Sequence, residues 1–122
     1  MGKHVLVIED EPNIVAAITF ILRRDGWQVS SHASGHDAMQ VIRDAAPDLL
    51  ILDVMLPGRS GYDILRELRG DPATADLPVL MLTAKGQSRD RQMAEAFGAS
   101  RFMSKPFSNT EVLASVRELV DA

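Results

Sequence analysis

Four places in the chain carry charged or hydroxyl side chains at or just after the end of an apolar run: Glu9-Asp10-Glu11, Asp53, Thr83 and Lys105. Asp53 is the most informative of them because it ends an apolar run that begins at Leu49, and burying a carboxylate there costs free energy unless a partner compensates. Three carboxylates that met at one point would repel one another, and a hard divalent cation such as Mg²⁺, which takes oxygen ligands, is the usual remedy. A carboxylate beside Mg²⁺, with a lysine ammonium and a hydroxyl donor nearby, is suited to accept a phosphoryl group as an acyl phosphate.

These residues come together only if the apolar runs are strands of one sheet. Three runs are continuously apolar, as is typical of parallel strands that are buried on both faces. With two weaker candidates they make five predicted strands, over residues 5–8, 27–32, 49–52, 79–82 and 100–103. Apolar stripes at helical spacing follow each strand, the last two over residues 87–97 and 108–120. Right-handed crossovers then give a parallel sheet with helices on both faces and a ligand crevice at the carboxyl ends of the strands.

Several residues mark where the helices begin. Pro12 suits a first helical turn. Ser34, Ser60 and Ser108 precede helical patterns and are the predicted N-caps. The sequence therefore predicts an α/β fold, a doubly wound parallel sheet in three layers, α/β/α.

Length and composition limit the function classes. The 122 residues fit a single domain, residues 1–122, with one hydrophobic core. Thirteen lysines and arginines against 17 acids give a formal charge of −4 without a basic run, which argues against direct binding of nucleic acid. The absence of cysteine excludes disulfides and cysteine-ligated metal sites. Because the N-terminal apolar stretch is too short for a membrane span or a signal sequence, we expect a cytoplasmic protein that binds no membrane.

Four motifs occur in the order found in one known family. They are residues 5–11 (VLVIEDE), 52–58 (LDVMLPG), 81–84 (MLTA) and 98–107, which runs from Gly98-Ala99 to Lys105-Pro106-Phe107. With them the whole chain resembles a receiver domain of bacterial two-component response regulators, similar to the single-domain chemotaxis regulator. The resemblance implies a flavodoxin-like (βα)5 sheet with strand order 2-1-3-4-5, an order that periodicity alone does not give.

The resemblance also implies a role for each acidic residue. Asp53 would be the phosphoacceptor, and Asp10 a direct ligand of Mg²⁺. Glu9 would act mainly through a bound water, and the backbone carbonyl of Met55 would be a further ligand. Glu9 stands where the family more often has Asp, a change expected to alter the geometry more than the chemistry.

The remaining site residues would contact or respond to the phosphoryl group. Lys105 supplies a point charge and Thr83 a hydroxyl donor. Phe102 falls at the switch aromatic of the family and would rotate inward as Thr83 moves toward the phosphate, although a Phe that simply packs in the core is the alternative. Met55 and Lys85 would overhang the phosphoryl group, and because neither suits the positioning of an attacking water, self-dephosphorylation is expected to be slow.

The function implied is a phosphorylation-controlled signalling module without substrate turnover. A sensor histidine kinase or a histidine phosphotransfer protein would donate to Asp53. The new charge would then shift the equilibrium of a face that binds a downstream protein target, or an effector domain absent from this chain.

Two alternatives stay open at this point. One is an aspartate-nucleophile phosphohydrolase of haloacid-dehalogenase type, which places a second Asp where this chain has Met55. The other is an interaction domain that works without phosphorylation, although the full set of site residues argues against it.

Overall fold

The fold is an alternating succession of strands and helices, as the apolar pattern predicts. The computed structural model describes residues 3–83, 92–93 and 95–121. Its strands are β1 (His4–Ile8), β2 (Gln28–His32), β3 (Leu49–Asp53), β4 (Val79–Thr83) and β5 (Arg101–Ser104). Its helices are α1 (Pro12–Arg24), α2 (Ala38–Ala45), α3 (Gly61–Gly70) and α4 (Asn109–Asp121). Each predicted strand is therefore found within one residue of its expected bounds.

All five strands are parallel and lie in the order β2-β1-β3-β4-β5, which confirms the flavodoxin-like α/β architecture. β3 and β4 are buried along their whole length because helices cover both faces of the sheet. On one face, strand residues such as Leu50 and Met81 pack with α2 and α3. On the other, alternate residues such as Ile51 and Leu80 pack with α1 and α4. The two cores confirm the three layers.

The start of α3 fixes the backbone that follows β3. The hydroxyl of Ser60 accepts a hydrogen bond from Tyr62 N at 3.1 Å, which confirms Ser60 as an N-cap. Gly61 N donates to Val54 O at 3.0 Å. A Cβ at Gly61 would lie 2.1 Å from the carbonyl oxygen of Asp53, so only glycine lets the helix approach the end of β3 this closely.

The other two predicted N-caps differ in outcome. Ser108 is confirmed, since its hydroxyl accepts from Glu111 N at 3.1 Å while its own N–H reaches the Glu111 carboxylate at 3.3 Å, a reciprocal capping box. The prediction for Ser34 was wrong, because Asp37 occupies the N-cap position of α2. The Ser34 hydroxyl instead accepts from His36 N at 3.0 Å, which closes a turn before the helix.

The helix predicted over residues 87–97 lies mostly outside the described residues. At its end, Phe97 N donates to Met93 O at 3.0 Å and Gly98 N to Glu95 O at 3.1 Å. Gly98 has a positive φ of 97°, as expected at a helix C-terminus. Among the helices that the structure describes, none has the length and hydropathy that a membrane span requires.

Substituting Gly61 tests how tightly α3 is seated against β3. Gly61→Ala is expected to lower the free energy of unfolding by about 1–3 kcal/mol, because the added Cβ would overlap a backbone oxygen rather than a flexible side chain. Gly70→Ala is the matched control, since a Cβ there meets nothing within 4 Å and alanine favours the helix by up to ~1 kcal/mol. Urea unfolding followed by Trp27 fluorescence measures both. Equal stability of the two variants would contradict the close approach.

Candidate functional site

The site lies where the parallel strands end. Glu9 follows β1, Asp53 and Thr83 are the last residues of β3 and β4, and Lys105 follows β5. Asp53 pairs in register with Leu82, which places Thr83 one residue further along the same edge. The sheet order makes these four strands consecutive neighbours, so the predicted meeting of the four strand ends at one edge is confirmed.

Three carboxylates share one small volume. Glu9, Asp10 and Asp53 each offer an oxygen atom, and these atoms lie within 4.8 Å of one another. Glu9 is 1% and Asp53 3% exposed, whereas Asp10 is exposed. Like charges this close repel strongly in a partly desolvated position. The cluster therefore attracts positive charge.

Lys105 supplies part of that positive charge. Its Nζ lies 2.8 Å from Glu9 Oε1 and 3.1 Å from Asp53 Oδ2. Burial by itself lowers the pKa of Lys105, but the two carboxylates outweigh that effect and raise the pKa above its usual range. The ammonium is consequently charged at neutral pH and spans two strands of the site.

Hydrogen bonds from backbone N–H groups fix the orientation of the two buried carboxylates. Glu11 N donates to Glu9 Oε2 at 3.0 Å, and Met55 N donates to Asp53 Oδ1 at 3.3 Å. Both donors lie two residues beyond their acceptor, in the loop that follows the strand. Such turns fix a carboxylate without using a second side chain.

Glu9 has a buried oxygen with hydrogen-bonding capacity that the described residues do not use. Its Oε1 is buried and, within the described part of the chain, accepts no hydrogen bond of good geometry. The Lys105 ammonium lies 2.8 Å from it and forms an ion pair with it. Free carboxylate lone pairs are the ligands that Mg²⁺ prefers, so the donor set fits a hard divalent cation.

The other predicted site residues surround this cluster. Thr83 is 1% exposed, and its carbonyl accepts from Lys105 N at 2.9 Å. Phe102 is partly buried and packs against the core on the α2 and α3 face. Met55 is 74% exposed, so its side chain projects from the loop after Asp53. Ala84 and Lys85 lie outside the described residues.

A concavity of about 630 Å³ adjoins the carboxylate and the lysine. Asp53 and Lys105 line it together with apolar side chains of α1 and of the loop after β5, among them Ile14, Ala17 and Phe107. The loop after β5 begins at the Lys105-Pro106 peptide, which is cis. The concavity reaches the buried Asp53 from one side.

Sequence reasoning missed Gly61 as a supporting residue of the site. Gly61 N binds the carbonyl of Val54, the residue after Asp53, and its missing side chain admits the Asp53 carbonyl. The pair Ser60-Gly61 carries a usable signal, because glycine directly after an N-cap serine lowers helix propensity and so marks a close backbone approach.

Comparison with known proteins gives a consistent result. A model of the response regulator receiver domain family matches residues 5–117. A putative response regulator from Chloroflexus aurantiacus is 34% identical, with full coverage of both chains and a TM-score of 0.96. The receiver domain of a sensor histidine kinase from Pseudomonas aeruginosa, solved with magnesium coordinated in its active-site cleft, is 27% identical over the whole of both chains, with a TM-score of 0.90. The chemotaxis protein CheY4 of Vibrio cholerae is 26% identical over 98% of this chain and 99% of its own, with a TM-score of 0.88.

Neutralising an exposed member of the cluster tests the repulsion. Asp10→Asn is expected to raise the free energy of unfolding by on the order of 1 kcal/mol without divalent metal, because one of the three crowded charges is removed. Asp63→Asn is the control: Asp63 lies in the first turn of α3, and losing its favourable interaction with the helix dipole costs about 0.3–1 kcal/mol. Urea unfolding in EDTA measures both changes. A loss of stability in Asp10→Asn would show that the carboxylates do not strain the metal-free protein.

Proposed function

The chain belongs to the response regulator receiver domain family, and from that premise we propose that it is a phosphoacceptor module of a two-component phosphorelay, with Asp53 as the acceptor. The observation that carries this proposal is the environment of Asp53. Its carboxylate is nearly buried, contacts the Lys105 ammonium at 3.1 Å and lies among two further carboxylates. Glu9 shares these features, but of the two carboxylates only Asp53 lines the concavity that Lys105 also lines.

The reaction is an in-line transfer from a phosphohistidine. An oxygen of Asp53 forms a bond to phosphorus while the P–N bond of the donor breaks, and the donor imidazole departs with the electron pair of that bond. Lys105, already 3.1 Å from Asp53 Oδ2, is placed to stabilise negative charge on the phosphoryl oxygens. The hydroxyl of Thr83 would donate to one of those oxygens once the group is attached.

The acidic residues would hold Mg²⁺ beside the acceptor. Glu9, Asp10 and Asp53 offer carboxylate oxygens, and Met55 would add its backbone carbonyl. When bound, the ion supplies charge neutralisation for the phosphoryl oxygens. This assignment is supported by Oε1 of Glu9, a buried ligand atom that accepts no hydrogen bond within the described residues and has the Lys105 ammonium as its neighbouring charge.

Phosphorylation would act through Thr83 and Phe102. Thr83 ends β4 and Phe102 lies on the adjacent edge strand β5, so a movement of the first toward the phosphoryl group would free space for the second. The outcome would be a changed partner-binding face beside β5. The downstream partner is a protein target, or an effector domain absent from this chain.

Upstream, a sensor histidine kinase or a histidine phosphotransfer protein would donate the phosphoryl group. The proposed module is one domain over residues 1–122 and is cytoplasmic. With a formal charge of −4 it is not expected to bind nucleic acid or membranes directly. It turns over no substrate, and its self-dephosphorylation would be slow because the exposed Met55 side chain cannot hydrogen-bond an attacking water.

The two alternatives receive less support. A haloacid-dehalogenase-type phosphohydrolase needs an acid two residues after its nucleophile to protonate the leaving group, and Met55 cannot do so. An interaction domain that works without phosphorylation has no need of a lysine held between two buried carboxylates, an arrangement that is costly to maintain.

Asp53→Asn is expected to abolish phosphoryl uptake from acetyl phosphate or phosphoramidate, because an amide lacks the nucleophilic carboxylate. The control is Asp48→Asn, which changes the same residue type immediately before the opposite end of β3 and should keep full uptake. Intact mass spectrometry with Mg²⁺ present measures both. An equal phosphoryl gain in Asp53→Asn and wild type would overturn the assignment.

Hydrogen exchange tests the proposed switch. With beryllofluoride, a mimic of the acyl phosphate, exchange is expected to change both at the loops that carry Asp10 and Met55 and across residues 84–104, which include Phe102. Thr83→Ala should keep the first set of changes and lose most of the second, because it lacks the hydroxyl that follows the phosphoryl group. If the wild type changes only at the metal-binding loops, Thr83 and Phe102 are not the switch.

A further inference from the structure

Glu9 makes closer contact with Lys105 than the acceptor itself does. The ammonium lies 2.8 Å from Glu9 Oε1 and 3.1 Å from Asp53 Oδ2. Asp53 also accepts a backbone hydrogen bond on its other oxygen, from Met55 N. The shorter of the two ion pairs is therefore the one that does not involve the acceptor.

The Oε1 oxygen of Glu9 depends on this contact. The side chain of Glu9 is fully buried, and its other oxygen, Oε2, binds the N–H of Glu11. Within the described part of the chain Oε1 accepts no hydrogen bond, so Lys105 is its compensating charge. A buried carboxylate that loses its only cation carries a large desolvation cost.

The length of the side chain makes the contact possible. β1 and β5 are not adjacent in the sheet, since β3 and β4 lie between them, and the Glu9 side chain meets that of Lys105 from the far side of the site. An aspartate at the same position would withdraw the carboxylate by about one C–C bond, ~1.5 Å. At the distance observed for Glu9, such a withdrawal would break a direct ion pair while keeping the negative charge in the cluster.

We propose that Glu9 is a positioning residue for Lys105: it holds the ammonium beside Asp53 in the metal-free protein, and Lys105 and a divalent cation compete for the same Oε1 oxygen. This inference rests on the proposed function of the site, since it assigns the lysine and the cation to one phosphoryl-accepting centre. It gives Glu9 a second task beside metal binding, which an acid shorter by one carbon would perform poorly.

Under this competition, Lys105 leaves Glu9 when a divalent cation binds the Oε1 oxygen. While Glu9 binds the ammonium, the lysine charge is divided between two carboxylates. When Oε1 is engaged elsewhere, Lys105 has only Asp53 as an ion-pair partner among the described residues. Lys105 then pairs with Asp53 alone, at the position that the phosphoryl group would occupy.

Magnesium affinity in a double-mutant cycle provides the first test. Lys105→Met is expected to tighten Mg²⁺ binding about tenfold in the wild-type background, equivalent to roughly 1.4 kcal/mol, because the cation no longer displaces the ammonium. In the Glu9→Asp background the same substitution should tighten binding less than about threefold. Glu9→Asp keeps the charge of the cluster, so it removes the contact and leaves long-range repulsion between lysine and metal intact. Equal tightening in both backgrounds, by calorimetry at fixed ionic strength, would overturn the proposal.

Stability without metal provides the second test. In EDTA, Lys105→Met is expected to lower the urea midpoint in wild type and to lower it much less when Glu9→Gln is also present. Asp10→Asn is the matched background: it removes a neighbouring charge from a residue that forms no ion pair within the described residues, and it should reduce the Lys105→Met shift much less than Glu9→Gln does. A Lys105→Met protein that folds only together with Glu9→Gln would be the strongest form of the expected result. An equal shift in the Glu9→Gln and Asp10→Asn backgrounds would refute the contact.

Neither measurement uses a phosphoryl donor, so this inference and the proposed function fail separately. If the cycles show no coupling while Asp53 still gains the phosphoryl group, only the positioning role of Glu9 is wrong. If the cycles show coupling but Asp53 gains no phosphoryl group, the ion pair is real and the proposed function is wrong.

Discussion

The ammonium of Lys105 lies between two carboxylates that the sheet has almost removed from water, and the arrangement of the rest of the site follows from that. Two buried negative charges at one edge are tolerated only while a cation stays between them. The strand ends must therefore place their charged side chains close together. A displacement of about 1 Å in any of these side chains weakens the ion pairs. The backbone hydrogen bonds to Glu9 and Asp53 provide this accuracy where side chains alone would not.

Apolar packing on both faces of the sheet holds the strand ends in these positions. β3 and β4 are buried on both faces, so their register is fixed by two separate cores, one with α2 and α3 and one with α1 and α4. Seating Gly61 against the Asp53 carbonyl then connects the start of α3 to the acceptor. Asp53 thus lies in a strand and Glu9 and Lys105 directly follow strands, whereas the exposed Met55 lies further along the loop after β3.

Much of this could be predicted from the sequence because the determining signals are local. Apolar runs gave the strands, and a charge at the end of such a run, as in Asp53, marked the functional edge. Strand order required the family resemblance, since periodicity carries no information about which strands are neighbours. Ser34 was misassigned because a serine before a helix can close a turn as readily as cap the helix. The contact between Glu9 and Lys105 was out of reach, because it depends on how far two side chains extend across intervening strands.

The charged residues of the site are far apart in sequence, and this affects the stability of proteolytic fragments. Lys105 and Asp53 are 52 residues apart in sequence, and the lysine directly follows β5, a strand at the edge of the sheet. Proteolytic loss of everything beyond β4 would therefore remove an outer strand and the neutralising ammonium together, leaving Glu9 and Asp53 facing each other. Such a fragment would be destabilised by electrostatics as well as by lost packing, which favours degradation of the damaged chain over persistence of a metal-binding remnant.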